Sequence, residues 1–161
     1  MTTNRQYISL AFWLAAAIAI AAAIFLFSSQ PAEISNDTSK GALRKLLELF
    51  LGESTDELIR RYNHPLRKIA HFTLYALLGL SLTGVFQHQK RVHKLMAAVI
   101  CSAAFAALDE LHQHFVEGRG PQLTDVLLDT AGAVTGALVM TGVLFLLGRA
   151  LRRRFPPSPQ T

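Results

Sequence analysis

The chain is poor in charge and nearly free of cysteine. Charged residues fill 17% of its 161 positions against 51% hydrophobic ones, with a single cysteine, Cys101. One thiol cannot close an intramolecular disulfide, so a disulfide scaffold is excluded. Set in an apolar run, Cys101 reads as a small packing residue rather than a nucleophile. Sparse charge with a mean hydropathy of +0.31 excludes a disordered chain and argues against an ordinary soluble globule. The length allows one domain. A net charge of +5 invites a nucleic-acid reading, but the basic residues flank apolar segments and form no stripe with interleaved aromatics. No nucleic-acid partner is expected.

What the chain does have is apolar blocks of membrane-spanning length. Residues 8–27 form a run of 20 without a charge, and about 20 helical residues cross a bilayer core of roughly 30 Å. The run is longer than a usual signal-peptide core and no small-x-small cleavage site follows, so it reads as an uncleaved helix. Further blocks cover about 69–86, 95–115 and 126–148. The last contains Gly132 and Gly136, a GxxxG spacing that lets a second helix approach closely and offers self-association. The expected fold is all-α, a four-helix membrane bundle in one domain spanning 1–161, with a basic tail at 149–161.

Between the first two blocks the composition changes. Leu43, Leu46, Leu47, Phe50 and Leu51 recur at helical spacing on one face. Ser54 and Glu57 have capping-box spacing, and Asp56–Arg60 and Glu57–Arg61 are i,i+4 pairs. One or two amphipathic helices over about 40–62 follow, lying on the membrane surface or capping the bundle.

Four spans put both termini on one side. Arg5, Lys90, Arg91, Lys94, Arg149, Arg152, Arg153 and Arg154 then share one face, and Lys40, Arg44, Lys45, Arg60, Arg61, Arg67, Lys68 and Arg119 the other. The count is tied. Short connections carry most of the positive-inside signal. The turn at 87–94 has three basic residues and no acid, while the turn near Gly118 has only Arg119. Cytoplasmic N- and C-termini are therefore expected.

That topology gathers polar residues from three helix ends at one membrane face. Lys68, His71 and Tyr75 share one helical face at i, i+3 and i+7. Asp109, Glu110, His112, Gln113 and His114 crowd the end of the third span, Asp125 and Asp129 open the fourth, and Arg119 lies between. Ionisable groups in a membrane are costly, by about 2.5–3.5 kcal/mol each at a helix centre and less near its ends. Their convergence points to mutual pairing around a polar cavity, though the pairing can be purely structural.

Lys68, His71, Phe72 and Tyr75 spell K-x-x-H-F-x-x-Y, a signature that resembles the VanZ-like family. Asp109, Glu110, Gln113, Phe115, Gly118, Arg119, Asp125 and Gly132 are similar to that family's D-E-x-x-Q-x-F-x-x-G-R-(x5)-D-(x6)-G. Ser28-Ser29-Gln30-Pro31 resembles its serine-glutamine-proline element after the first helix. One departure is Asp129, where the family usually has Asn. The resemblance implies a multi-pass protein of the bacterial cytoplasmic membrane. It further implies a place in the cell envelope and a link to glycopeptide (teicoplanin) susceptibility, without supplying a reaction.

Three readings of the cluster follow. It recognises an anionic or lipid-linked envelope molecule, such as a cell-wall intermediate, through Lys68, His71, Tyr75, Glu110, Gln113, Arg119, Asp125 and Asp129; Arg offers a bidentate fork to phosphate and Lys a point charge. It is an intramembrane hydrolase or transferase with His71 and Asp109 or Glu110 as acid and base. Or it locks a small bundle that serves as an accessory subunit. No activated Ser or Cys, no phosphatase-type motif and no cofactor motif is present. A metal variant built on His71, Glu110, His114 and Asp125 lacks a metal-ligand spacing such as HExxH, so no metal and no cofactor are expected. Membrane lipids are the remaining expected partners.

Overall fold

A computed structural model describes residues 2–154; the final part of the expected basic tail, 155–161, lies outside the described residues. Among the described residues all regular structure is helical: α1 Thr2–Ser28, α2 Ala32–Leu51, α3 Asp56–Val85, α4 Arg91–Gln113 and α5 Leu123–Arg154. Four stretches are long and apolar enough to cross a membrane: Gln6–Ser28, Asp56–Val85, Arg91–Gln113 and Leu123–Ala150. At 1.5 Å per residue even a 23-residue helix reaches about 35 Å, more than a bilayer core. Large apolar side chains such as Phe12, Ile18, Leu108, Leu138 and Leu146 point outward. In water that surface would drive association; in acyl chains it is satisfied.

Successive spans run antiparallel, and α3 and α5, which run in the same direction, approach most closely. A β-carbon on Gly132 or Gly136 would collide with the backbone of Phe72 or Ala76. Without a hydrophobic force between helices in lipid, such backbone approach supplies the packing energy. The GxxxG face expected to attract a second copy is therefore filled by α3 of the same chain. α1 lies against α3 and α4, with Ile24, Tyr75, Leu78 and Ala106 in the shared core. At one end of the bundle Gln87 Nε2 donates to Ser9 Oγ at 2.8 Å. At the other, Ser28 Oγ reaches α4.

Helix boundaries and local pairings depart from expectation. The helix of the second apolar block begins well before 69: α3 starts at Asp56 and runs on through Pro65. Proline removes one N–H and frees one carbonyl in the turn before it. The cap is Thr55, not Ser54, its side chain accepting from the Leu58 N–H at 3.4 Å. Asp56 pairs with Arg44 at 3.2 Å rather than with Arg60. Finally, α5 continues to Arg154, so the first part of the basic tail is helix. Cys101 is exposed and not a packing residue.

The amphipathic segment is thus a hairpin of α2 and the early part of α3. Ser39 Oγ donates to Asn63 Oδ1 at 2.6 Å and Arg67 Nη1 to Asn36 Oδ1 at 2.9 Å, an antiparallel pairing that continues to Arg44 and Asp56. The Ala32 N–H donates to the Glu117 carbonyl at 3.0 Å, fastening the start of α2 to the turn between α4 and α5. This end of α2 caps the bundle, while Leu46, Leu49, Phe50 and Leu51 at its far end are exposed.

Candidate functional site

The last turn of α4 places Asp109, Glu110 and Gln113 on the inner side, all buried. Asp109 Oδ2 accepts from Ser28 Oγ at 2.8 Å and from Gln113 Nε2 at 3.2 Å. Gln113 Nε2 also donates to Ser28 Oγ at 3.3 Å. The end of α1 is thereby locked to the end of α4. The Ser-Gln-Pro element was the signal for this contact, although Ser28 was not among the expected site residues.

Arg119 follows Gly118, whose positive φ of 71° turns the chain after α4; glycine adopts that conformation without a β-carbon clash. Its guanidinium donates to the Gln30 carbonyl at 3.0 Å, the Phe27 carbonyl at 3.1 Å and Gln113 Oε1 at 3.1 Å. Carbonyls at a helix C-terminus have no partner within the helix and carry partial negative charge, so a cation there satisfies both. Burial and then the neighbouring Arg67 guanidinium lower the Arg119 pKa from the ordinary arginine value. Arg119 was expected to hold a ligand; most of its donors hold the end of α1.

Around these residues lies a cavity of about 220 Å³. Seven of the expected ligand residues line it: Lys68 and His71 from α3, Glu110 and Gln113 from α4, Arg119 from the turn, and Asp125 and Asp129 from α5. Asn36, His64, Arg67 and Gln122 also line it and were not expected there. Asn36 and His64 could not be placed because the α2–α3 hairpin was not legible. Tyr75 and Asp109 stand behind the lining.

Three cations (Arg67, Lys68, Arg119) face three carboxylates (Glu110, Asp125, Asp129) across this space. Lys68 Nζ lies 3.1 Å from Asp125 Oδ1, both about a third exposed. His71 Nδ1 is 3.7 Å from Asp129 Oδ2, beyond hydrogen-bond length. Glu110 accepts from the Gln122 backbone N–H at the approach to α5. The Tyr75 hydroxyl, Asp109 Oδ1 and Asp129 Oδ1 are buried without a partner among the described residues. Tyr75 lies within electrostatic range of Asp109, Asp129 and Glu110.

The remaining histidines take no part. His112 Nε2 is 3.1 Å from Ser29 Oγ and its ring stacks on Phe25, while His114 sits exposed beside Phe115. Among the described residues no three His, Cys, Asp or Glu side chains are arranged to hold a metal ion, so the four-ligand variant with His114 does not assemble.

Four spanning helices closed over a charged cavity at one end define a multi-pass α-helical membrane protein. Residues 12–147 match the VanZ/LLP1 family, and the chain belongs to it. No curated protein and no solved structure matches the chain.

Proposed function

We propose that this VanZ-family membrane protein recognises the polar head of an anionic, lipid-linked envelope molecule. The observation that carries the reading is the cavity itself: cations from the hairpin, the α3 span and the α4–α5 turn, balanced by carboxylates from α4 and α5. A net-neutral pocket does not select bare charge. It matches a ligand that offers an anion to Lys68 and Arg67 and hydroxyl or amide donors to Glu110 and Asp129, as a phosphate beside a sugar or peptide does. The Lys68–Asp125 bridge is partly exposed, so an incoming phosphate can replace Asp125 at modest cost. At about 220 Å³ the cavity is below the roughly 300–1,000 Å³ of drug-sized sites, which fits a headgroup whose tail stays in the bilayer.

In this reading the termini are cytoplasmic, the membrane is the bacterial inner membrane, and the cavity faces outward, where lipid-linked wall intermediates and glycopeptides meet. A change in teicoplanin susceptibility on expression is the expected cellular consequence. The test uses the full chain in nanodiscs with a labelled polyprenyl phosphate. Lys68→Gln is expected to weaken binding about tenfold, the loss of one charge-assisted contact, and exposed Lys45→Gln to leave it unchanged. Equal affinity of a folded Lys68→Gln protein would refute recognition at this site.

A second reading is favoured by one feature: His71 and Glu110 face the same cavity, with Asp129 behind the imidazole. That arrangement suits acid and base work in an intramembrane hydrolase or transferase. Its mark is product formation from a polyprenyl-diphosphate lipid that His71→Gln abolishes. If neither binding nor turnover is found and only bundle stability responds, the accessory-subunit reading prevails.

A further inference from the structure

A second cavity, of about 670 Å³, opens between the α3–α4 turn and the C-terminal half of α5. Lys94 and Glu110 are 16 residues apart on α4, which at 1.5 Å per residue is about 24 Å. The two cavities therefore occupy opposite ends of the bundle. They also differ in kind. Arg91, Lys94, Arg149 and Arg153 line this one, and no carboxylate does.

The site is built into the bundle and is not merely a basic surface. Lys94 is 8% exposed, and among the described residues no carboxylate lies within salt-bridge distance of it. An anion at this position would pair with a cation that has no counter-charge, without displacing an internal acid. Thr141, also in the lining and 8% exposed, has a hydroxyl without a partner. The Arg91 guanidinium rests 4.6 Å from the centre of the Phe145 ring. Cation–π stacking of that kind orients the group while its N–H fork stays free for an acceptor.

We infer that this cavity binds the phosphate headgroup of an anionic membrane phospholipid. Free phosphate shares the chemistry, but the surroundings favour a lipid. Phe145 gives the lining an aromatic wall, and Val92 and Leu147 on the same helices are exposed to acyl chains. Basic pockets between membrane helices recognise such headgroups. The inference is independent of what the first cavity binds.

The full chain in a neutral detergent is titrated with phosphatidylglycerol, phosphatidylcholine or inorganic phosphate while thermal unfolding is followed. Phosphatidylglycerol is expected to raise the midpoint in a saturable way and the other two are not. Lys94→Gln and Arg91→Gln each remove a charge-assisted contact and are expected to weaken the response about tenfold. Arg149→Gln, at an exposed position, repeats the measurement should the buried change impair folding. Lys45→Gln, in the α2–α3 hairpin, retains the full response. An equal shift with inorganic phosphate would overturn the lipid assignment. So would an unaltered response in folded Arg91→Gln and Arg149→Gln proteins, or an equal loss in Lys45→Gln.

Discussion

Replacing Arg119 by alanine separates a ligand-holding arginine from one that holds the fold. Its three hydrogen bonds end on the Phe27 carbonyl, the Gln30 carbonyl and Gln113 Oε1. The Phe27 contact is exposed and water can replace it; the other two are partly buried. An acceptor left unsatisfied there costs about 1–3 kcal/mol, so the pair predicts a loss of about 2–6 kcal/mol. Arg119→Lys keeps the charge but presents a single ammonium to acceptors spread around a planar fork, and falls between. The assay is reversible unfolding of the full chain in mixed micelles, followed by helical circular dichroism, with polyprenyl-phosphate binding measured on the fraction that remains folded. Destabilisation with binding retained in the folded fraction agrees with a structural role. Native stability with binding lost would show that Arg119 serves the ligand and would refute the reasoning.

Gly136→Leu drives a side chain into the α3 backbone at Ala76 and is expected to exceed the usual overpacking cost of about 1–3 kcal/mol; Gly142→Leu, with open space around it, is expected to leave the thermal midpoint unchanged. Ser28→Ala removes the 2.8 Å donor to buried Asp109 and is expected to lower stability by about 1–3 kcal/mol, read in the same unfolding assay. Asp129→Asn removes a buried carboxylate with an unpartnered oxygen, so stability is expected to rise by about 1–2 kcal/mol. A fall of similar size would show that His71 carries a charge that Asp129 must balance.

The spans were legible because lipid imposes one rule, a long apolar helix with its backbone satisfied, and residues 8–27 meet it without interruption. The hairpin was not. Pro65 and the charged stretch before it read as the end of one element and the start of another, yet a proline near a membrane edge sacrifices one hydrogen bond and the helix continues. That misreading hid Asn36, which reaches the cavity because α2 folds back along α3, and His64, which shares the α3 face of Lys68 because the helix continues through Pro65. Lys68, His71, Glu110 and Asp125 were legible as neighbours, since charges at three antiparallel helix ends must meet. Whether a cation serves a ligand or a helix end was not, because that depends on which carbonyls α1 presents when it stops at Ser28.

The two ends of the bundle hold their cations differently. At the hairpin end Lys40 pairs with Asp37, Arg44 with Asp56 and Lys68 with Asp125; Arg119 and Arg67 are held by hydrogen bonds to uncharged acceptors, and Lys45, Arg60 and Arg61 have no carboxylate within salt-bridge distance among the described residues. At the other end Arg91, Lys94, Arg149 and Arg153 gather around a cavity with no carboxylate in its lining. An anionic leaflet responds to charge that is not already neutralised nearby, by about 1 kcal/mol per basic residue at its surface. Cations without a neighbouring acid thus stand at both ends, gathered around a cavity at one and spread along the hairpin at the other. The same asymmetry divides the work of the two cavities. In the two proposals the neutral cavity discriminates by the pattern of donors and acceptors it presents, and the basic one by charge together with the apolar surface beside it.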